Sequence, residues 1–482
     1  MIKKMLLDFK VKFKSPVFKN SFWGVVSNVL QNLFLSVFFI MIARKYSTSD
    51  FANYIIANTL YSFVLGFSTL GLGYWFIREF INTDNKRLLL DKFFKMQLYV
   101  GILFYIFSVA ISYALYDSYL IRSLSLIIGI NIIFDNIIYV IKYLNIAELQ
   151  QKKSFMLTGL EAFLKFIVGC MLFFTHIPIV ILSVILISLR LLTLNLFIRY
   201  GSSNSISLRE IIAVKISMKE MRSIVAQNWS FVVIGSLAVL NWRIGNIFVS
   251  KFLTLDDVAN YEVSFKLLSI MYILPVIISS SIYPILLNAY KEGIEKMKAL
   301  YAKTFIPFYI FGLFAYTLIY SYADYFIPIL FGHKFENASQ YCKEMFLVML
   351  IFPTLLLQAN VLITIKLEKL DMLCNVVNLI VNVSFCVIGL HYFKTLSVVN
   401  YSIFTAFLVF HLIQDVVLIK NKIISVKHVV SFYLISLIII ASYFYFSNLI
   451  PKEILFIIFW ITFGIIISLI YFYKKRTLEI TL

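Results

Sequence analysis

Charged residues are scarce in this sequence. Asp, Glu, Lys and Arg make up only 14% of its 482 residues, while 61% are hydrophobic, and the mean hydropathy is +0.91. A soluble domain of this length does not bury so much apolar surface, because a folded chain of this mass still exposes a large surface that so few polar residues cannot cover. The shortage of charge therefore excludes a soluble globular protein and indicates that lipid surrounds most of the chain.

Cysteine and histidine are also rare, with four and five residues. The sequence contains no C-x-x-C motif and no Cys/His cluster, so it gives no reason to expect a metal or a disulfide. Glycine-rich phosphate loops and the G-x-S-x-G motif are missing as well. We therefore predict no catalytic residue, no metal and no bound cofactor, and we interpret His391 and His411 as packing or interface residues.

Long apolar runs fill most of the chain. A bilayer core of about 30 Å needs about 20 apolar residues per helix, whereas membrane strands would give short alternating segments. The runs predict an all-α integral membrane protein with about fourteen transmembrane helices. The predicted spans lie near residues 22–42, 53–77, 97–116, 123–144, 156–175, 177–198, 227–250, 263–287, 304–331, 343–365, 372–393, 397–419, 428–449 and 454–473.

One short motif occurs twice. Residues 45–54 read KYSTSDFANY and residues 251–261 read KFLTLDDVANY, and both lie between long apolar runs. The offset indicates a duplication with a repeat of roughly 207 residues. Six predicted spans separate the copies, so the two halves share one orientation and are related by an axis along the membrane normal.

The repeat predicts two six-helix lobes and an extra helix pair. We place an N-lobe with spans 1–6 at residues 1–200 and a cytoplasmic linker at 201–225. A C-lobe with spans 7–12 follows at 226–425. Residues 426–482 hold spans 13 and 14 and a cytoplasmic tail.

The distribution of basic residues predicts the orientation. With a cytoplasmic N-terminus, about 31 of the 43 Lys and Arg residues fall on the cytoplasmic side and about 8 on the outer side. Both termini and the linker are then cytoplasmic, and both copies of the repeated motif are outside. The net charge of +19 is explained by contact with anionic lipid headgroups, so nucleic acid is not an expected partner.

Polar side chains inside the spans recur on single helix faces, at spacings of three, four and eight residues. We predict that they line a cavity; the alternative is hydrogen bonding between helices, which contributes about 1 kcal/mol or less per contact. The predicted polar cavity residues are Asn28, Gln31, Asn32, Asn131, Asn246 and Asn378.

Charges inside the spans are a stronger signal. Each costs about 2.5–3.5 kcal/mol on insertion scales, so it needs a hydrated cavity or a counter-charge. The predicted substrate-binding cations are Arg243, Lys266, Lys165, Arg190 and Lys142, and the ion-coupling candidates are Asp135, Glu161 and Glu262. Three alternatives are open: Lys165 pairs with Glu161, Arg190 extends to the membrane interface, and Glu262 pairs with Lys266, which leaves Arg243 alone.

Three stretches resemble those of a known family. Residues 43–80, which begin ARKYSTSDFANY and contain Leu70-Gly71-Leu72, resemble the signature of polysaccharide transporters. Residues 242–261 resemble the matching stretch of the second half, and LFGHKF at 330–335 resembles that family's L-F-G-x-x-[FY] turn. Together with the repeat, they identify the chain as similar to Wzx-type O-antigen flippases of the multidrug/oligosaccharidyl-lipid/polysaccharide superfamily.

The resemblance implies a V-shaped, MATE-like pair of lobes in the bacterial inner membrane. It implies alternating access, in which a polyprenyl-pyrophosphate-linked oligosaccharide passes from the cytoplasmic to the outer leaflet, driven by a proton or sodium gradient. Membrane lipids and other polysaccharide-assembly proteins are the expected partners. The sequence departs from the family's pattern at Gly245. Many relatives have Arg-Ile-Asp in the seventh span, whereas this chain has Arg243-Ile244-Gly245.

Two other functions are weighed against a flippase. A drug or metabolite antiporter of the same superfamily would favour acidic cavity residues for cationic substrates, whereas this chain has an excess of Lys and Arg in its spans. A membrane-embedded polymerase or ligase would need a large outer loop with convergent catalytic groups, but the predicted outer loops are short.

Overall fold

The computed structural model describes residues 16–202, 211 and 213–480, so the predicted linker at 201–225 lies partly outside the described residues. All regular structure in this part of the chain is helical. The helices of the first half are α1 Pro16–Lys45, α2 Thr48–Ser68, α3 Gly73–Asn82, α4 Lys86–Leu115, α5 Tyr119–Gly129, α6 Asn131–Ala147, α7 Gln151–Phe174, α8 Ile179–Tyr200 and α9 Met218–Gln227. The second half holds α10 Trp229–Phe252, α11 Leu255–Glu292, α12 Ile294–Phe331, α13 Ala338–Met345, α14 Phe352–Thr364, α15 Glu368–Tyr392, α16 Leu396–Lys420, α17 Val426–Ser447 and α18 Lys452–Ile480, with short 3₁₀ helices at His333–Phe335 and Phe346–Leu350.

These helices confirm the predicted all-α membrane protein. Within the described residues, 12 helical stretches are long and apolar enough to cross a membrane. The two other predicted spans coincide with α10 and α18, which are 24 and 29 residues long. Each of the fourteen predicted spans therefore matches one helix or a run of two or three consecutive helices.

The second span is broken in its middle. α2 ends at Ser68, and Leu70 and Gly71 then adopt positive φ angles of 51° and 58°, a backbone region that glycine enters without steric cost. The N–H of Gly73 donates to the hydroxyl of Tyr139, 2.7 Å away. The Leu-Gly-Leu sequence thus forms a turn that redirects the chain from α2 into α3.

The repeated motif starts two helices in the same way. The Ser47 hydroxyl accepts from the Asp50 N–H at 3.1 Å, and the Thr254 hydroxyl accepts from the Asp257 N–H at 3.2 Å. Asp257 in return accepts from the Thr254 N–H at 3.1 Å. These contacts satisfy N–H groups that have no partner in the first turn of a helix. The two copies of the motif therefore cap corresponding helices, α2 and α11.

The chain divides into two compact units. The first contains Met1–Lys266 and Asn378–Ser402, and the second contains Leu267–Val377 and Ile403–Leu482. The first unit has an apolar core that includes Trp75, Phe76, Phe93, Phe94 and Phe197. The core of the second unit includes Tyr301, Phe305, Phe308, Leu357 and Phe432. The lobe boundaries drawn from the repeat stay a prediction.

Candidate functional site

The first unit encloses a polar cavity of about 260 Å³. Its walls come from α1, α2 and α5 to α8. The lining residues are Gln31, Leu35, Tyr54, Asn58, Tyr61, Ile128, Asn131, Lys142, Thr158, Glu161, Ala162, Lys165, Ser183, Leu186 and Arg190. Six of them were predicted as site residues: Gln31, Asn131, Lys142, Glu161, Lys165 and Arg190.

Arg190 is held by two carboxylates. Its guanidinium forms ion pairs with Asp135 of α6 and Glu161 of α7, and the Tyr61 hydroxyl donates to the same Asp135 carboxylate. Only 15% of the Arg190 side chain is exposed. The alternative in which Arg190 extends to the membrane interface is therefore wrong, because the planar guanidinium has enough donors to bind both carboxylates at once.

Lys165 shares Glu161 with Arg190. Its Nζ lies 2.7 Å from Glu161 Oε1, one helical turn away on α7, so the pairing that the sequence allowed is observed. Lys165 also lines the cavity, which means that the ion pair and cavity lining coexist. Glu161, with 6% of its side chain exposed, thus links two cations at the cavity wall.

Lys142 is the exception among the cavity cations. Within the part of the chain that the structure describes, its ammonium group makes no hydrogen bond or ion pair, although it lines the cavity. Five charged residues lie at or next to the cavity wall. Three are cations, Lys142, Lys165 and Arg190, and two are acids, Glu161 in the wall and Asp135 bound to Arg190. The group therefore carries an excess of one positive charge when all five are ionised.

A second charged group joins α10 and α11. Glu262 Oε1 lies 3.5 Å from Arg243 Nη1, and Asn246 donates to Glu262 Oε2 at 2.7 Å. The Arg243 guanidinium lies 5.2 Å from the Phe265 ring centroid, and Lys266 Nζ lies 5.5 Å from that of Phe39. The alternative that leaves Arg243 alone is wrong, since Glu262 pairs with Arg243.

Other predicted polar residues lie away from the cavity. Asn28 and Asn32 are exposed, and the Asn32 amide donates to the Asn28 carbonyl within α1 at 2.7 Å. Asn378 on α15 is 1% exposed, and its side-chain oxygen has no hydrogen-bond partner among the described residues. The cavity therefore takes only Gln31 from the predicted face of α1.

Three cavity residues on α2 were not predicted. Tyr54, Asn58 and Tyr61 all line the cavity, at spacings of four and three residues that place them on one helix face. This spacing is the same signal that identified the polar faces of α1 and α6. It could have been read from the sequence in the same way.

Gly245 is explained by a neighbouring side chain. A Cβ at this position would lie 2.3 Å from the Tyr261 hydroxyl oxygen and 3.2 Å from a methyl carbon of Val399. Tyr261 is fully buried, so it occupies the space that an aspartate at position 245 would need. Asp135 and Glu161, two of the predicted ion-coupling candidates, are both bound to Arg190.

The turn that carries the first copy of the repeated motif is anchored by Tyr46. Its hydroxyl donates to the Ile177 carbonyl at 2.8 Å, which ties the α1–α2 turn to the α7–α8 turn. Burial, followed by Tyr54 and Asp50, raises the pKa of Tyr46 to about 12. Tyr46 therefore keeps its proton and remains a donor at physiological pH.

Known structures define the class of this fold. An inward-facing multidrug resistance MATE family transporter of the MOP superfamily matches with a TM-score of 0.66 and 13% identity, over 82% of this chain and 96% of that one. An outward-facing structure of such a transporter matches with a TM-score of 0.56 and 13% identity, over 85% and 96%. A MOP superfamily transporter from Pyrococcus furiosus, described as having a binding pocket of reverse polarity, matches with a TM-score of 0.53 and 12% identity, over 84% and 97%. The fold is thus that of MATE transporters.

The chain belongs to the polysaccharide biosynthesis protein family, whose sequence model matches residues 41–340. This range contains all three stretches on which the resemblance was based, so the family prediction is confirmed. No curated protein matches the sequence. The described residues contain no group of three or more His, Cys, Asp or Glu side chains that could hold a metal ion.

Proposed function

We propose that this protein is a flippase that moves a polyprenyl-pyrophosphate-linked oligosaccharide from the cytoplasmic to the outer leaflet by alternating access. The observation that carries the proposal is the polar cavity of the first unit, with three cations at its wall. A pyrophosphate needs cationic donors, and the sugars need polar uncharged groups such as Asn58 and Asn131. Membership of a polysaccharide biosynthesis family supports a glycan as cargo.

Lys142 is the first phosphate ligand in this proposal. Its ammonium group is free of ion pairs among the described residues, so a phosphate oxygen can approach it without displacing a carboxylate. Arg190 and Lys165 are engaged by Asp135 and Glu161. The planar guanidinium of Arg190 can bind a second phosphate group once Asp135 or Glu161 no longer pairs with it.

This competition suggests how an ion gradient drives the cycle. A proton bound to Asp135 or Glu161 removes the negative charge that holds Arg190 and leaves the guanidinium available to the substrate. Proton and phosphate binding then favour each other, and by linkage each raises the affinity of the other by the same factor. Glu262 stands in a similar relation to Arg243. A sodium ion at these carboxylates would have the same electrostatic effect.

A drug or metabolite antiporter remains the second candidate, because two of the structural neighbours are multidrug transporters. A cationic drug would need an acidic cavity. Here both acids are neutralised by cations, and one cation is left over. The balance of charge at the cavity wall favours an anionic substrate.

Location and orientation are part of the proposal. A lipid-linked glycan precursor places the protein in the bacterial inner membrane, in contact with membrane lipids and other polysaccharide-assembly proteins. The excess of Lys and Arg in alternate loops favours cytoplasmic N- and C-termini. The lipid tail of the substrate would stay in the bilayer while the head group enters the cavity.

Binding to purified protein in nanodiscs tests the substrate class. The probe is a short-chain polyprenyl pyrophosphate, with a lipophilic cationic dye as the competing ligand. Lys142→Gln should weaken binding of the pyrophosphate about tenfold or more, because a hydrogen bond to a charged group contributes about 1.5–3 kcal/mol. The matched control is Lys296→Gln, a lysine that is exposed on α12.

The same experiment can reject the proposal. Equal affinities of the wild type and Lys142→Gln for the pyrophosphate would show that the cavity does not bind the phosphate of the substrate. Binding of the dye in preference to the pyrophosphate would favour the antiporter.

A further inference from the structure

The second unit has its own buried polar network, centred on His411 and Asp415 of α16. Their side chains are 0% and 5% exposed, and His411 Nδ1 lies 3.1 Å from Asp415 Oδ2. His411 Nδ1 is also 2.6 Å from the Tyr433 hydroxyl oxygen, and Nε2 is 3.0 Å from Thr354 Oγ1. Both ring nitrogens of this fully buried histidine therefore have hydrogen-bond partners.

Each helix that packs against this pair contributes a defined neighbour. Gln358 of α14 donates to Asp415 Oδ1 at 2.7 Å, and Tyr433 of α17 donates to Oδ2 at 3.0 Å. Gln414 connects the site to Asp371 of α15, whose carboxylate it contacts at 3.1 Å. From α12, Tyr301 contacts Gln358 at 3.5 Å.

Aromatic rings close the rest of the site. Phe432 stacks on His411 with the ring centroids 5.6 Å apart, and Phe305 of α12 contacts Phe432 at 5.3 Å. His428 of α17 lies on the far side of Phe305, 5.1 Å from it. The titratable groups around the pair are thus Asp371, Tyr301, Tyr433 and His428, and no lysine or arginine is hydrogen-bonded or ion-paired to the pair within the described residues.

The protons of these groups can be arranged in two ways. The Thr354 hydroxyl has one proton and donates it to the Ile351 carbonyl at 2.8 Å. It must therefore accept from His411 Nε2, which carries a proton in both states. The Tyr433 hydroxyl also has one proton, which it can give either to Asp415 or to His411 Nδ1.

In the loaded state both ring nitrogens carry protons. Nδ1–H then points to Tyr433 and Asp415, the Tyr433 proton points to Asp415, and the imidazolium and carboxylate cancel in charge. In the unloaded state Nδ1 has no proton, Tyr433 turns its proton to Nδ1, and Asp415 keeps only Gln358 as a donor. The unloaded pair therefore leaves one net negative charge in a buried site, which favours rebinding of a proton.

Two further atoms favour a positive occupant. The side-chain oxygens of Gln358 and Gln414 have no hydrogen-bond partner among the described residues, and both side chains are 0% exposed. Unsatisfied acceptors in a buried site add negative potential, and such groups call for an explanation.

We propose that His411 and Asp415 form a proton-binding site in the second unit, with Tyr433 as the residue that reports its occupancy. One proton from water binds to His411 Nδ1 and later returns to water, and no other covalent bond changes. The site involves none of the cavity residues to which the transport function is assigned. It replaces the interpretation of His411 as a packing residue, since α14, α16 and α17 are held together differently in the two states.

The test is nuclear magnetic resonance of the full-length protein with ¹⁵N-labelled histidine in lipid nanodiscs. The chain has only five histidines, and His411→Gln identifies the signals of residue 411. As the pH is raised through the range in which the protein stays folded, His411 Nδ1 should lose its proton while Nε2 keeps its own. Asp415→Asn should lose the doubly protonated form at a pH where the wild type shows it.

Controls make the outcome decisive. His391→Gln changes an exposed histidine and should leave the His411 signals unchanged. If His411→Gln does not fold, Tyr433→Phe identifies the same signals by the shift at Nδ1. A His411 that keeps one protonation state over the whole range would overturn the proposal. So would a response of its signals to sodium at fixed pH, which would make the site a sodium site.

The measurement needs no substrate, so it stands apart from the proposed flippase activity.

Discussion

Arg190 and Glu161 form an ion pair between α8 and α7, at the wall of the cavity in the first unit. Asp135 binds the same guanidinium, and Lys165 binds the same Glu161 carboxylate. A charge buried in a membrane helix is tolerated when an opposite charge lies beside it. The four residues therefore make a mutually compensated group, and Lys142 is left as the cation available to a ligand.

Removal of Arg190 should destabilise the protein. Arg190→Gln leaves two buried carboxylates without their shared partner, and breaking a buried pair in this way costs about 3–5 kcal/mol. The measurement is thermal unfolding in detergent. Arg78→Gln is the matched control, because Arg78 is more than half exposed and pairs with an exposed Glu79, where an ion pair contributes about 0–1 kcal/mol. Equal unfolding temperatures for the two variants would show that Arg190 is not held as the structure indicates.

Gly245 should not tolerate even a methyl group. Gly245→Ala places a Cβ 2.3 Å from the Tyr261 hydroxyl oxygen, and overpacking of this kind costs about 1–3 kcal/mol. Tyr261→Phe removes that oxygen and should recover most of the lost stability in the double variant. Gly464→Ala is the control, since no atom lies within 4 Å of its Cβ position. A Gly245→Ala variant as stable as Gly464→Ala would contradict this packing.

Arg243 tests whether the second charged group binds substrate or only holds α10 to α11. If it binds phosphate, as the sequence predicted, Arg243→Gln should stop surface polysaccharide assembly at a normal protein level. Arg243→Lys should restore it in part, because a lysine keeps the charge but loses the bidentate geometry.

Glu262 separates the two roles of Arg243. Glu262 Oε1 lies 3.5 Å from Arg243 Nη1, so Arg243→Gln also leaves the buried Glu262 carboxylate without its cation. If that is the only effect, the double variant Arg243→Gln/Glu262→Gln should recover full function. We expect the double variant to be folded and inactive; recovery of polysaccharide assembly would show that Arg243 is structural.

The orientation predicted from charge can be tested by reporter fusions. A fusion at Asn204, in the predicted cytoplasmic linker, and one at Asp256, in the second copy of the repeated motif, should report opposite sides of the membrane. The reason is the uneven distribution of Lys and Arg between alternate loops. Equal signals from the two fusions would contradict the fourteen-span topology.

The fold was predictable because its main signal, the length of each apolar run, is contained in the local sequence. Each span is an apolar run long enough to cross a bilayer, and this property depends only on the local sequence. The repeated motif was predictable for the same reason, since the Ser47 and Thr254 caps act within one helical turn. The break at Leu70 and Gly71 changed the path of a span without hiding it.

The partners of the charged residues were less predictable. Glu161 and Lys165 are one turn apart, so their pairing follows from spacing, but Arg190 meets Asp135 across 55 residues of chain. Helix packing alone decides such a contact. Glu262 likewise has a cation four residues away in Lys266, but its pairing with Arg243 on another helix does not follow from spacing. The recurrence of polar residues on one face of a predicted helix identified the side chains that need partners. Only the tertiary structure identified those partners.

The most direct test of the proposed function is a translocation assay with the purified wild-type protein in proteoliposomes. A short-chain polyprenyl-pyrophosphate-linked oligosaccharide, incorporated in both leaflets, is probed from outside with an enzyme that modifies only the exposed sugars. We predict that an imposed ion gradient makes the protected fraction accessible in wild-type vesicles and that Lys142→Gln vesicles behave as protein-free ones. No increase in accessible glycan with the wild-type protein, together with gradient-driven movement of a cationic dye in the same vesicles, would contradict the account.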